Sequence, residues 1–237
     1  MKVWCKNSGF SLTETLLAVG TLAIGLLFVA GTFLAGIHFN TIATERTVSA
    51  VAADEAFAKI QLYWIHIADP NLATDKMKRF EAIINIDPNE FAYPSTEGNV
   101  IQKQYYWSAL CRKVASNSRL VQLTVFVTRT AGDAKSYRGG AAWPIPMQVN
   151  VSGTTSGNLL KIEDTTMQSW INDGFRIVDN KTGQIFRVLE RKADLPDTIV
   201  LDSPWQSTGP GSIWVVPPPI GSGRDLCVAI YQKVIRF

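Results

Sequence analysis

The feature that most constrains this chain is a long apolar run near its N-terminus. From Thr15 to Thr44 the sequence contains no Asp, Glu, Lys or Arg. A helix needs about 20 apolar residues to cross the roughly 30 Å hydrocarbon core of a bilayer. The run therefore predicts one membrane-spanning helix with the lipid bilayer around it. A single carboxylate, Glu14, lies immediately before the run.

The charge distribution predicts which end of the chain is exported. Lys2 and Lys6 precede the apolar run without an acidic neighbour, and such positive flanks stay on the cytoplasmic side. The 237 residues carry 23 basic and 20 acidic side chains, for a net charge of +3. A nearly neutral exported part lacks the overall basic character typical of nucleic-acid-binding proteins. Nucleic acid is therefore not an expected partner.

The residues around Glu14 form a motif. Gly9-Phe-Ser-Leu-Thr-Glu14 follows a short basic leader and precedes the uncharged run. This combination resembles the processing site of type IV prepilins and type II secretion pseudopilins, and the run itself is most similar to the minor pilin or minor pseudopilin branch. An ordinary signal peptide has a shorter apolar core, followed by a small-x-small cleavage site.

The resemblance implies cleavage by a prepilin peptidase between Gly9 and Phe10, followed by methylation of the new Phe10 amine. It implies an assembly role for Glu14, whose carboxylate would pair with the terminal amine of a neighbouring subunit. A charge in apolar surroundings needs such a partner. The alternative is an unpaired carboxylate at the level of the lipid headgroups. One departure is that residues 10–68 contain no Pro, whereas many major pilins carry one in this helix.

The implied partners are prepilin peptidase, other pilin or pseudopilin subunits and the inner-membrane assembly platform. The implied location is the inner membrane, with one span, a cytoplasmic N-terminus and periplasmic C-terminal domains, and later a pilus or pseudopilus.

Residue patterning divides the chain into four segments. Residues 1–9 are the leader, and residues 10–68 are predicted to form one long helix that becomes amphipathic in its second half. Residues 69–143 are predicted to form a pilin-like head with an antiparallel hairpin. Residues 144–237 are predicted to form a β-rich barrel or sandwich. The predicted fold class is therefore α+β.

Several shorter elements are predicted within these segments. A short helix is predicted over 75–84, and two strands over 100–114 and 120–130, the second from its strict alternation. The β-rich module is predicted to contain strands over 147–151, 159–162, 175–178, 184–190, 198–201, 212–216 and 226–235.

The sequence contains no catalytic motif of a common kind. G-x-S-x-G, H-E-x-x-H and phosphate-loop patterns are missing, and both histidines, His38 and His66, lie on the predicted helix. The chain is therefore predicted not to be an enzyme and to need no cofactor or metal. Cys111 and Cys227 lie in the exported part, where a disulfide can form, but spacing alone leaves their pairing undecided.

Two sets of side chains are interpreted structurally rather than functionally. Acidic and amide residues near the predicted strands are interpreted as solvated turns, not calcium ligands: Asp173, Asp179, Asn180, Asp194, Asp197 and Asp202. Aromatic residues are interpreted as core rather than as a stacking platform: Trp107, Trp143, Trp170, Trp205, Trp214, Tyr105, Tyr106 and Tyr231.

Three functional hypotheses follow. The first is a structural minor subunit of a type IV pilus or type II secretion pseudopilus. The second is a filament-displayed binding module, either an adhesin or a DNA-capture tip. The third is a membrane-anchored enzyme whose N-terminus resembles a prepilin by accident.

Overall fold

The computed structural model describes one N-terminal helix, a five-stranded antiparallel sheet and a closed barrel, which confirms the α+β class. Two compact units are present, Met1–Glu45 and Arg46–Phe237. The predicted leader, the predicted cleavage site at Gly9–Phe10, and His66 lie outside the described residues. The described residues are 11–63, 69, 72–95, 104–116, 118–130, 137–140, 142–153, 157–206, 209–221 and 223–237.

Helix α1 (Leu12–Tyr63) is 52 residues long and agrees with the predicted long helix. It begins after Ser11, whose side-chain oxygen accepts a hydrogen bond from the Glu14 backbone N–H at 3.2 Å. Serine is a favoured residue at this position because it satisfies an N–H that has no partner within the helix.

The head sheet has the order β1-β3-β4-β11, and β2 also pairs with β3. The predicted hairpin is confirmed, because β3 and β4 are antiparallel neighbours. The last strand, β11, pairs with β4. The five strands are β1 (Lys78–Arg79), β2 (Ala92–Tyr93), β3 (Tyr105–Lys113), β4 (Leu120–Arg129) and β11 (Cys227–Arg236).

Six further strands close into a barrel in the order β10-β5-β6-β9-β8-β7. The sequence left a barrel and a sandwich as alternatives, and the structure has the barrel. The strands are β5 (Met147–Gly153), β6 (Leu159–Ile162), β7 (Arg176–Asp179), β8 (Ile185–Arg191), β9 (Thr198–Leu201) and β10 (Gly209–Val215).

The topology differs from the predicted division at residue 144. The barrel lies between β4 and β11 in the sequence, and β11 returns to the head sheet instead of joining the barrel. The barrel is therefore an insertion into the head, and residues 144–237 are not one contiguous module. Pairing with β4 places Tyr231 and Ile235 of β11 against one core cluster and Ile230 against another, and this burial on both faces depends on the assembled sheet rather than on the sequence of β11 alone.

The short helix predicted over 75–84 is wrong. This segment contains the two-residue strand β1 and a single 3-10 turn, Phe80–Ala82. The Met77 backbone N–H donates to both the backbone oxygen and the side-chain oxygen of Asn180, each at 3.0 Å. This link to a distant turn holds the segment extended, and local propensity cannot encode it.

Three core clusters fill the unit Arg46–Phe237. The first lies between the second half of α1 and one face of the head sheet, with Trp107 and Phe80 among its fully buried side chains. The second fills the barrel. The third lies between the other face of the sheet and the barrel, and includes Leu110, Phe126 and Trp214. The sheet is therefore covered on both faces.

Cys111 and Cys227 are both free and buried. Their partners on β4 are Leu123 and Thr128, which are about 16 Å apart at about 3.3 Å per residue. A disulfide needs Cα atoms within about 7 Å, so these two residues cannot pair in this fold. Burial raises the pKa of both thiols, which makes them inert hydrophobic side chains.

Candidate functional site

The first part of α1 carries an exposed apolar surface. Its large apolar side chains from Leu12 to Phe39 are 51 to 79% exposed. Among the described residues, α1 is the one helix long and apolar enough to cross a membrane. Such a surface is unfavourable in water.

The polar side chains within this segment are satisfied locally. The hydroxyls of Thr15, Thr21, Thr32 and Thr41 donate to backbone carbonyls one turn earlier, at 2.9 to 3.0 Å. Local hydrogen bonds of this kind lower the cost of placing a hydroxyl in hydrocarbon. These threonines are therefore compatible with an apolar environment around the helix.

Glu14 lies in the first turn of α1, where a negative charge interacts favourably with the helix dipole. Ser11 and Glu14 have the spacing of a capping box, and the serine half of that box is formed. The sequence analysis missed this local role, although the Ser-x-x-Glu pattern is visible in the sequence. Glu14 itself is exposed, so its carboxylate is accessible to a partner outside the chain.

The second part of α1 is bound to the head by apolar and polar contacts. Ala52, Ala56 and Ile60 are fully buried on this face of the helix. The Ser49 hydroxyl lies 3.0 Å from the Tyr231 hydroxyl on β11. Small side chains at 52 and 56 let the helix backbone approach the sheet closely. This half of the helix therefore has its apolar partner within the chain.

An ion-pair cluster fixes the same helix to the connector, which is the part of the chain between α1 and β3. The Lys59 ammonium lies 3.2 Å from Glu55 and 2.8 Å from Glu90, and it donates to the Glu90 backbone carbonyl at 2.7 Å. The Trp107 indole N–H donates to that same carbonyl at 3.1 Å. The cluster therefore joins α1, the connector and β3 at one point.

An apolar cavity of about 240 Å³ lies beside the connector. Trp143 lines it and stacks on Phe91 and Tyr106, with ring centroids 5.6 and 5.5 Å apart. Glu81 also lines it, and burial raises the pKa of that carboxyl, with Arg79 opposing the shift. The buried oxygen of Glu81 and the indole nitrogen of Trp143 have no hydrogen-bond partner among the described residues.

The aromatic side chains are mostly core, as predicted. Trp107, Trp170, Trp205 and Trp214 are at most 8% exposed, so these four rings are not available for base or sugar stacking. The Arg138 guanidinium lies 5.3 Å from the centre of the Trp170 ring. These side chains therefore stabilise the head and the barrel rather than form a binding platform.

The acidic residues near the barrel strands mainly accept local hydrogen bonds or form an ion pair. Asp173 accepts a hydrogen bond from the Arg191 N–H at 2.8 Å, and Asp202 accepts one from the Arg187 N–H at 3.0 Å. Asp197 forms an ion pair with Lys161 at 3.2 Å. The pKa of Asp197 is lowered mainly by its hydrogen bond with the Thr198 hydroxyl and then by its interaction with Lys161. No group of three or more potential metal ligands occurs among the described residues.

Asp179 and Asn180 are not a solvated turn, which corrects the sequence interpretation. Asp179 is 8% exposed, and its carboxylate accepts from the Lys181 and Thr182 backbone N–H groups at 3.2 and 2.9 Å. Asn180 bonds to Met77 and accepts from the Trp214 indole at 2.8 Å. This hairpin turn therefore joins the barrel to the head.

Comparison of the chain with protein-family models, curated proteins and solved structures finds no match. The features of the described residues that bear on function are an exposed apolar helix surface, an accessible carboxylate at the start of that helix, and a head with an inserted barrel.

Proposed function

We propose that this protein is a minor pilin-like or pseudopilin-like structural subunit of a type IV pilus or type II secretion pseudopilus. In this proposal a prepilin peptidase cuts between Gly9 and Phe10, and the new Phe10 amine is methylated. The subunit then assembles through α1. The observation that carries the proposal is the exposed apolar surface from Leu12 to Phe39, in a helix whose later residues are buried on its own head.

Two successive environments would cover that surface. Burying one large aliphatic or aromatic side chain is worth about 1.5 to 3 kcal/mol, so a helix with many exposed ones is driven strongly out of water. The bilayer of the inner membrane covers it first. Neighbouring helices in the filament core cover it after assembly, and the uncharged run from Thr15 to Thr44 suits both environments.

Glu14 would be the group that sets the register between subunits. Ser11 already caps the helix, so the Glu14 carboxylate is not needed to satisfy the first backbone N–H groups. Transfer of this carboxylate into an apolar filament core would be costly unless a cation accompanied it. The terminal ammonium that cleavage creates on a neighbouring subunit would supply that cation.

The size of the head supports the proposal that this protein is a minor subunit rather than a subunit of the filament shaft. A second half of α1 packed on an antiparallel sheet is compatible with a pilin-like head, and the barrel inserted between β4 and β11 adds bulk to it. A large head is harder to repeat along a tightly packed shaft, so we place this subunit at a tip or as an accessory component. Shaft-like abundance along isolated filaments would contradict that placement.

The proposal is tested by comparing two substitutions in cells that make the filament. Glu14→Ala removes the carboxylate, whereas Ser11→Ala removes the cap and leaves the carboxylate in place. We expect Glu14→Ala to reach the membrane but to be lost from sheared filaments, and Ser11→Ala to be incorporated. Incorporation of Glu14→Ala at the wild-type level would contradict the proposed assembly role.

The inserted barrel also favours a second candidate function, that of a displayed binding module such as an adhesin or a DNA-capture tip. A closed barrel with its own core is not required for packing α1 on the sheet. Binding of the purified full chain to glycans or DNA, with affinity for DNA falling steeply with salt, would support this candidate. A third candidate, an anchored enzyme, would retain its location and activity after Glu14→Ala.

A further inference from the structure

A second cavity, of about 250 Å³, lies where the head meets the barrel. Three cationic side chains line it, Lys76, Lys78 and Arg79, and no Asp or Glu does. The other lining residues are Met77, Ala82, Gln148, Asn180 and Trp214. Such a concentration of positive charge is unexpected in a chain whose exported part is nearly neutral.

The backbone that carries the two lysines is held in place. Met77 lies between them, with its side chain 1% exposed, and its N–H donates twice to Asn180. Met77 is buried, whereas Lys76 is exposed and Lys78 is partly exposed. The two lysines therefore flank a backbone position that is fixed by its bonds to Asn180.

The polar side chains beside the cavity are already bonded to one another. Gln148 and Asn180 each donate to the Ser212 hydroxyl oxygen, at 2.8 and 3.0 Å. The Trp214 indole donates to Asn180 at 2.8 Å. The side chains of this network are neutral, so they supply no counter-charge to the two lysines.

Nearby carboxylates do not neutralise the site. Lys76 and Lys78 make no ion pair with another described residue, and Arg79 lies 3.9 Å from Glu81. The acidic Asp75 is adjacent to Lys76 in sequence but does not line the cavity. Arg112 lies nearby and bonds to the carbonyls of Thr74 and Lys181, but Asp179 acts on it electrostatically, so the two together add no net charge. The local excess is therefore about two positive charges, from the three cationic residues less Glu81.

We propose that this cavity is an anion site for a phosphate monoester group. Such a group carries about −1.5 to −2 charges at neutral pH and three strong acceptor oxygens, which complements the excess of positive charge. A volume of about 250 Å³ holds about eight water molecules at about 30 Å³ each, so the site also accommodates part of the molecule that bears the phosphate. This proposal is independent of filament assembly.

The test is phosphate binding by the full chain in non-ionic detergent, measured by calorimetry with glycerol phosphate as the monoester probe. We expect saturable binding that Lys76→Gln/Lys78→Gln weakens about tenfold or more, because each charge-assisted hydrogen bond contributes substantially. The matched control is Lys192→Gln on the barrel, which does not line the cavity and should change affinity less than about twofold.

Two further arms identify the source of the phosphate. Two further probes are compared with glycerol phosphate in the same buffer: a DNA duplex, in which the phosphates are diesters, and vesicles of phosphatidic acid, which is a phosphate monoester. We expect the two monoesters to bind more tightly than the DNA diester. If the wild-type chain does not bind glycerol phosphate at about 10 mM, the highest concentration tested, the proposal is overturned whatever the variants do. Equal weakening by Lys192→Gln, or binding of the diester alone, would also overturn it.

Discussion

The two parts of α1 have the same backbone structure and opposite surroundings. From Leu12 to Phe39 the large apolar side chains are mostly exposed, whereas from Ser49 to Ile60 the inward-facing residues are buried on the head sheet. Apart from Glu14, the first part lacks charge all round, and the second alternates small apolar residues with charged ones. One continuous helix therefore has two kinds of surface, the first with its apolar side chains exposed and the second with them buried on the head.

The largest expected effect compares one phenylalanine from each part. Phe57→Ala removes a side chain that is 4% exposed within the helix–sheet core, and should lower the free energy of unfolding by about 3 to 5 kcal/mol. Phe28→Ala removes one that is 71% exposed and should leave head stability unchanged. Urea unfolding in detergent, followed by tryptophan fluorescence, measures both. Equal losses of unfolding free energy in the two variants would contradict the difference between the two parts of the helix.

A smaller effect is expected from overpacking. Ala56 is fully buried against the sheet, whereas Ala58, two residues later, is exposed. Ala56→Leu should cost about 1 to 3 kcal/mol because the packed interface must move apart, and Ala58→Leu should cost almost nothing. The same urea titration distinguishes them, and tolerance of leucine at both positions would mean that the helix does not pack closely there.

The hydrogen bond between Ser49 and Tyr231 should contribute less. Tyr231→Phe removes one partner and should lower the free energy of unfolding by about 0.5 to 1.5 kcal/mol. Ser49 keeps its bond to the Arg46 carbonyl at 2.9 Å, which favours the lower end of that range. Thr32→Val, which deletes a hydroxyl in the other part of the helix, is the control and should not change head stability.

The smallest effect is expected from the exposed ion pair between Lys233 and Asp54. The two charges are 2.7 Å apart, but their side chains are 51 and 72% exposed. Asp54→Asn should therefore cost about 0.2 to 1 kcal/mol, and the difference should vanish in about 1 M salt, where the Debye length is about 3 Å. A salt-independent loss would indicate that Asp54 acts through packing or hydrogen bonding instead.

Local patterns predicted the elements well. The alternation of Val121, Leu123 and Val125 identified β4 correctly, and the predicted strands 159–162 and 198–201 coincide with β6 and β9. The long apolar run and the amphipathic pattern that follows it predicted α1. In each case the signal is a periodicity that burial imposes along one element.

Long-range pairing was not predictable in the same way. Residues 226–235 were correctly predicted to form a strand, but a strand with apolar residues on both faces fits either a sheet or a barrel. The extended conformation at Met77 depends on Asn180, more than one hundred positions away in sequence. The burial of Asp179 has the same cause, because that turn contacts the head. Only the assembled fold contains this information.

The candidate site was predictable in part. Its motif and the uncharged run are local, and the Ser11 cap could have been identified from the same residues. The cavity lined by Lys76, Lys78 and Arg79 could not, because Gln148, Asn180 and Trp214 come from distant parts of the chain.

The central claim is that the chain matures by cleavage before Phe10 and assembles through α1. The most direct test is the N-terminal sequence and mass of the protein recovered from cell envelopes. The proposal predicts a mature chain that begins at Phe10 and carries one additional methyl group on its amine. A chain that retains Met1, or one that begins beyond Ala30 within the apolar run, would contradict it.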